Sequence, residues 1–383
     1  MSQAATLTGI TWNHSRGYLP LVATAQRFTE LHDEVTIEWS KRSLQAFADQ
    51  PIERLADRFD LLIIDHPFVG FAAAHPVLVP LDEHLPAAFL ADQGAHSVGA
   101  SHASYACGGH QWALAVDAAT PVSAGRPDLI ERHGVDFPQT WSELLALARL
   151  GHVAFPAIPI DCLGHFWMLC LALGEEPCAT TDHVVDPTVG AIALEHLREL
   201  VALCDPACLA RNPIQTYEAM VASDELVYCP FAYGYSNYAR PGYARATLRF
   251  GGLVTFEGRR LRSTLGGTGL AISQRCHDLT SALAYAQYVA SPSCQRGLYV
   301  TAGGQPGHRG AWLDAEVNYL CHDFFRDTLA TLDEAWLRPR FDGYIPFQDE
   351  AGVIVHRYLR NGGDPRLVIA ELDRGYRESL ANG

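Results

Sequence analysis

Three short apolar runs separated by two helical ones fill the first 64 residues, and that alternation restricts the architecture more than any other feature of the chain. Leu7–Thr11 and Val35–Trp39 read as strands, and Asp60–Ile64 ends in a wholly apolar Leu-Leu-Ile-Ile. Between the first two, Leu21, Val22, Ala25, Phe28 and Leu31 recur at helical spacing, which predicts a helix over Pro20–Leu31 with the proline in its first turn. Between the second and third, Leu44, Phe47, Ala48, Ile52 and Leu55 predict a helix over Ser43–Asp57, interrupted at Pro51. Strands joined by helices pair in parallel and are covered by those helices, so the chain is expected to be α/β. Ligands of such sheets sit outside the carboxyl ends of the strands. The residues there are Trp12, Asn13, His14 and Ser15, then Ser40, Lys41 and Arg42, then Asp65, His66, Pro67 and Phe68.

A length of 383 residues exceeds what one ordinary core accommodates and suggests two or three domains. Hydrophobic content of 48% and charged content of 19%, with no low-complexity run, describe a chain that folds throughout. A net charge of −15 argues against a nucleic-acid partner, and the short clusters Arg259-Arg260 and Arg338-Pro339-Arg340 read as solvated faces. No apolar run is long enough to cross a membrane. The sequence enters its first strand within a few residues of Met1, with no basic or apolar leader pattern. Ten cysteines are scattered without the spacing of a disulfide framework. Together these lead to the expectation of a cytoplasmic protein with reduced thiols, or a periplasmic one if an export signal has been removed.

Further along, Gly109-His110-Gln111-Trp112 and the apolar Ala113–Ala119 lead through Thr120-Pro121-Val122 to Arg126-Pro127-Asp128-Leu129, Gly134 and Pro138-Gln139-Thr140-Trp141-Ser142-Glu143-Leu144. This reads as a strand leaving one lobe, a crossing, and a helix opening a second lobe, with Thr140 and Glu143 at capping-box spacing. Leu265-Gly266-Gly267-Thr268-Gly269-Leu270-Ala271-Ile272-Ser273 reads as a return crossing; Ala282–Pro292 and Gly303-Gly304-Gln305-Pro306 follow it. In this order, over nearly the whole chain, the motifs resemble the extracellular solute-binding protein family 1, the sugar-binding type of bacterial ABC importers.

The resemblance implies a two-lobed periplasmic-binding-protein-like fold of class II. Each lobe would be a mostly parallel sheet flanked by helices, with the ligand cleft between the lobes. Lobe I would comprise residues 1–115 and 273–311, and lobe II residues 116–272 and 312–383. It also implies hinge closure on a small polar ligand (a sugar, a sugar acid or another polar or anionic solute), an importer permease as partner if the protein is exported, a monomer, and no cofactor. A cleft that grips a polyol needs aromatic faces and fixed polar groups. The expected ligand-binding residues are Trp12, Asn13, His14, Tyr18, Lys41, Asp65 and His66 in lobe I, His165, Phe166, Tyr233 and Tyr235 in lobe II, and Asp117, Gly267 and Gln305 at the crossings. Tyr233 and Tyr235 follow the strand-like Leu226-Val227-Tyr228 in a glycine-containing loop, where a core role is less expected.

Five constellations invite other chemistry. Asp65-His66 could act as acid and base, bind ligand, or cap a helix, and neighbours on an extended segment point apart, so they need not touch. Cys276-His277-Asp278 and Cys321-His322-Asp323 look like triads, but triads converge in space rather than in sequence. Asp278 more simply caps a helix beginning at Leu279, and Cys321-His322 is expected to ride on one. Cys204 and Cys208 lack the second pair that a structural zinc site requires, so no metal is expected. Gly266-Gly267-Thr268-Gly269 lacks the lysine of a phosphate loop and reads as a tight crossing. The rival reading is a cytoplasmic enzyme or ligand sensor that retains the binding fold, with Asp65, His66, His14 or Cys107 as its working groups.

Overall fold

The computed structural model describes residues 5–382, which divide into two compact units. The first takes the described residues to Ala119 together with Leu265–Leu329 and Arg340–Asp342, and the second takes Thr120–Thr264, Ala330–Pro339 and the chain from Gly343 onward.

The opening alternation folds as β1 (Ala5–Trp12), α1 (Ser15–Leu31), β2 (Val35–Arg42), α2 (Leu44–Asp49), α3 (Ile52–Ala56) and β3 (Leu61–Ile64). β1 pairs in parallel with both β2 and β3. The sheet continues through strand Gly266–Ile272, antiparallel to β3, to Leu114–Ala119 at the far edge. All four side chains of β3 are buried because helices and neighbouring strands cover both of its faces. The core against this sheet takes Leu21, Ala25 and Phe28 from α1 and Tyr285, Ala286 and Val289 from helix Leu279–Ala290, which Asp278 caps as its position suggested.

Helix α1 begins at Ser15, not at Pro20. The imidazole of His14 accepts the Arg16 N–H at 3.0 Å and so takes the capping role usually given to serine or aspartate. Pro20 therefore lies inside the helix, where it withholds one backbone hydrogen bond.

In the second unit the sheet is antiparallel: Pro121–Gly125 lies between Tyr228–Tyr233 and Arg249–Gly251. The mostly parallel sheet expected of each lobe is thus met by a mixed sheet in the first unit and an antiparallel one here. Around it pack helices Trp141–Arg149, Pro159–Ala172, Pro187–Leu203 and Tyr344–Asn361. Thr140 and Glu143 form the expected capping box.

The division falls at Ala119/Thr120 and Thr264/Leu265 rather than at 115/116 and 272/273. Strand Gly266–Ile272, expected in the second lobe, is hydrogen-bonded into the first unit's sheet, and residues 312–329 also belong to that unit. Cys321-His322-Asp323 is not helical. Helix Ala315–Leu320 stops at Cys321, and His322 and Asp323 take left-handed backbone at φ 45° and 63°. Arg259 and Arg260 are exposed, as expected, but Arg338 is 6% exposed and donates to the Gln348 carbonyl at 2.8 Å. Arg340 is half-buried and donates to the carbonyls of Ala103, Ser104 and Ala106.

Candidate functional site

In the first unit the carboxyl ends of β1, β2 and β3 gather most of the expected residues. Asn13 is exposed and His14 half-buried. Burial, with the Arg16 charge alongside, pulls the His14 imidazole down to about 3, which suits a ring nitrogen that must stay unprotonated to accept the cap hydrogen bond. Tyr18 lies one turn into α1, and the Lys41 ammonium sits 4.9 Å from its ring centroid. Trp12 is 3% exposed, packed at a tilt on Phe47 and pressed against the backbone of Gly17, so it belongs to the core.

Asp65 caps the 3₁₀ turn His66–Phe68 by accepting the His66 N–H at 2.9 Å. Its carboxylate does reach its neighbour's ring, with Nδ1 of His66 3.2 Å away, because the chain turns at this point instead of continuing extended. His66 is fully buried, edge-on to Tyr105.

Asp117, Gly267 and Gln305 come together where strands Leu114–Ala119 and Gly266–Ile272 run side by side. Gln305 exchanges two hydrogen bonds with the Ala118 backbone, at 3.0 and 2.8 Å. Gly267 has φ 98°, and a Cβ there would lie 2.4 Å from the Asp117 carbonyl oxygen, so glycine is required by strand contact. The Asp117 carboxylate is buried and held by both arms of Arg16, with Nε donating to Oδ2 at 2.9 Å and Nη2 paired with Oδ1. Sequence reasoning passed over Arg16. The sequence placed the helix start at Pro20 and so left Arg16 outside it; in the structure it is a cation in the first turn, where the macrodipole opposes positive charge and a carboxylate partner is needed.

A hollow of about 800 Å³ in this unit lies away from the strand ends, beside the hairpin of Ala106-Cys107 and His110-Gln111. Its lining includes Cys107, whose thiol donates to the Arg340 carbonyl.

In the second unit the polar groups collect at the start of helix Pro159–Ala172. Asp161 and His165 are one turn apart on its inner face, and Gly164 between them keeps that face low. Together with Tyr233, Thr264, Arg338, Gln348 and Trp167 they line a small cavity whose water-accessible space is about 20 Å³. That is room for about one water molecule.

The cavity's electrostatics follow from burial. Asp161 is pushed up to about 8 and His165 pulled down to about 3, so both groups are mainly uncharged at neutral pH. Oδ2 of Asp161, Nδ1 of His165 and Nε1 of Trp167 are buried and have no hydrogen-bond partner. Such groups cost free energy unless something satisfies them. The His165 ring is fixed by Phe231 at 4.4 Å and Phe155 at 5.8 Å.

Tyr233, at the end of its strand, is half-buried, and its hydroxyl lies 3.3 Å from Thr264 Oγ1. Tyr235 instead is 3% exposed, edge-on to Tyr217, and Phe166 is fully buried against Trp167. Asp161, Arg338 and Gln348 were not singled out from sequence. Only the first carried a signal, an acidic residue in an otherwise apolar first turn.

No family model matches the chain. Solved structures do match over almost its whole length. An ABC transporter solute-binding protein from Thermotoga lettingae, bound with α-D-tagatose, superposes with a TM-score of 0.83 at 17% identity, covering 98% of this chain and 100% of that one. The GacH receptor of Streptomyces glaucescens, solved unliganded and with acarbose, gives 0.82 at 16% identity with complete coverage of both chains. Maltose-bound MalE3 of T. maritima gives 0.80 at 17% identity over 98% and 100%. At these identities the likeness is one of fold: the chain has the α/β, two-lobed architecture of the periplasmic binding proteins, with a mixed and an antiparallel sheet flanked by helices.

Proposed function

We propose that this chain is a solute-binding protein of the ABC-importer type whose ligand is a neutral polyhydroxylated molecule, a sugar or polyol. The observation that carries this reading is the set of unpartnered, uncharged polar groups at the start of helix Pro159–Ala172: a protonated carboxyl at Asp161, a neutral imidazole at His165 and the indole N–H of Trp167. Hydroxyls donate and accept and carry no charge, so they satisfy such groups without the cost of bringing a second ion into a buried site. The cavity has room for about one hydroxyl-sized group, so a sugar would reach it with a single hydroxyl and lie outside it, against the half-buried ring of Tyr233.

Two of the first unit's ionic groups near the strand ends are already accounted for. His14 is held neutral, and the Arg16 charge is matched by Asp117. The fold neighbours bound to tagatose and maltose support the same ligand class. The hinge closure implied by the resemblance belongs to this reading, and a fall in radius of gyration on adding ligand is its expected signature in solution scattering.

A thermal-shift panel of sugars, polyols, sugar acids and dicarboxylates at pH 7 tests the proposal. A neutral sugar or polyol is expected to raise the melting temperature, since saturation at about 100 times Kd adds about 2.7 kcal/mol of stability. Tyr233→Ala should then weaken that ligand by about 1–3 kcal/mol. Stabilisation by anions alone, or by nothing in the panel, would reject it.

One observation favours a second setting. No disulfide joins the ten cysteines and seven are buried, which suits a reducing compartment, where the same fold would serve as a ligand sensor. Fractionation of the source cell decides between that role and service to an importer.

A further inference from the structure

Among the described residues two clusters bring three metal-ligating side chains within reach of one another: Asp92, His96 and His308, and His133, His152 and Glu225. Hydrogen bonding separates them, because an imidazole binds a metal only through a nitrogen that carries no proton. In the first cluster Nδ1 of His308 accepts the Gly310 N–H at 3.1 Å, so the ring proton is on Nε2, the atom 3.8 Å from Asp92. That nitrogen has no lone pair to give, and the cluster reads as a carboxylate between two rings.

The second cluster has the opposite arrangement. Nδ1 of His152 lies 2.9 Å from the Glu225 carbonyl oxygen, and Nε2 of His133 lies 3.2 Å from the Asp224 carbonyl oxygen. A carbonyl only accepts, so each of these nitrogens carries the proton, leaving Nε2 of His152 and Nδ1 of His133 with open lone pairs. Metal-bound histidines are oriented in the same way, by donating their second nitrogen to a backbone carbonyl.

We infer that His133, His152 and Glu225 form a site for a divalent transition-metal ion that prefers imidazole, such as Zn²⁺, Ni²⁺ or Co²⁺. One ring nitrogen of each histidine and one Glu225 carboxylate oxygen lie within 4.8 Å of one another, and the two rings are 4.5 Å apart between centroids. A tetrahedral ion with bonds of about 2.1 Å holds its ligand atoms about 3.4 Å apart, so small side-chain rotations complete the set.

The backbone around the site is already fixed. His133 ends helix Pro127–His133, which Gly134 stops in left-handed backbone. The His152 carbonyl accepts from both Val227 and Tyr228, and Ser223 Oγ accepts from Glu225 and Leu226. Both histidines are half-buried and Glu225 is exposed, which leaves the fourth coordination position to solvent. The neighbouring Asp224 is engaged by Arg132 and Arg245, each at 3.8 Å.

The test is a Co²⁺ titration of chelator-stripped, untagged protein, followed by visible absorption and equilibrium dialysis, with thermal melts of the metal-free variants to establish that each is folded. One high-affinity ion per chain is expected, without a thiolate charge-transfer band. His133→Ala and His152→Ala should each weaken it at least about tenfold, whereas His96→Ala leaves it unchanged. Binding that persists undiminished in both folded variants, a charge-transfer band placing the ion on cysteine, or no binding at millimolar Co²⁺ overturns the assignment. Where the alanine variants fail to fold, His133→Gln and His152→Gln, which keep a polar side chain of similar reach, carry the same expectation.

Discussion

Asp161 and His165 are the residues on which the proposed site turns, and their titration gives them a measurable signature. The folded Asp161 carboxyl titrates at about 8 against 3.8 for an ordinary aspartate. Between those values the folded chain holds a proton that the unfolded chain has lost, so this group makes stability fall as pH rises. His165 acts in the other direction, since its folded value of about 3 lies below 6.5 and the unfolded chain binds the extra proton in between. Stability gained from His165 on raising the pH tails off through 6.5 and is complete about one unit above it, and comparison with Asp161→Asn cancels it, which isolates Asp161 up to about 8. In urea titrations, wild-type stability relative to Asp161→Asn should decline over pH 6.5–8 by at most about 1.4 kcal/mol per pH unit. Parallel curves would mean that Asp161 ionises in the folded state as it does in water. Neither residue's role was fully legible beforehand. His165 was picked for its aromatic neighbours, and Asp161 was hidden because burial is decided by helices distant in sequence.

At the scale of elements, boundaries went astray wherever an unusual residue did a familiar job. The sequence pattern of α1 was visible from Leu21 onward, but its first turn was concealed by a histidine acting as cap and by a proline that normally marks a helix start. The Cys321–Asp323 turn was misread because two non-glycine residues hold left-handed backbone there, which propensity disfavours. Thr140 and Asp278, by contrast, were readable because capping needs only local residues in a fixed order.

The crossing strand Gly266–Ile272 was also readable, though its glycines have different reasons for being there. Gly267→Ala meets both strained backbone and the Asp117 carbonyl oxygen at 2.4 Å, whereas Gly258→Ala, at φ 74°, meets nothing within 4 Å. The first should cost about 2–4 kcal/mol in urea unfolding and the second about 1 kcal/mol. Equal costs would show that the strand pair shifts to make room.

Over the whole molecule, the order of motifs revealed the fold while composition and spacing misplaced the unit boundaries, most of all the last, where residues 312–329 fell in the wrong unit, because a strand's sheet membership depends on hydrogen bonds that local sequence does not encode. Strand Gly266–Ile272 lies between β3 and Leu114–Ala119. During synthesis, that position means the first unit's sheet cannot close when its early strands leave the ribosome. About 150 more residues must be added, taking roughly 8–30 s at ordinary elongation rates. Throughout that interval β3 and Leu114–Ala119 each present an apolar edge with no partner, a standing invitation to pair with another chain. Nascent chains arrested with about 250 residues exposed should therefore remain protease-sensitive throughout their first 119, and those arrested with about 330 exposed should be protected.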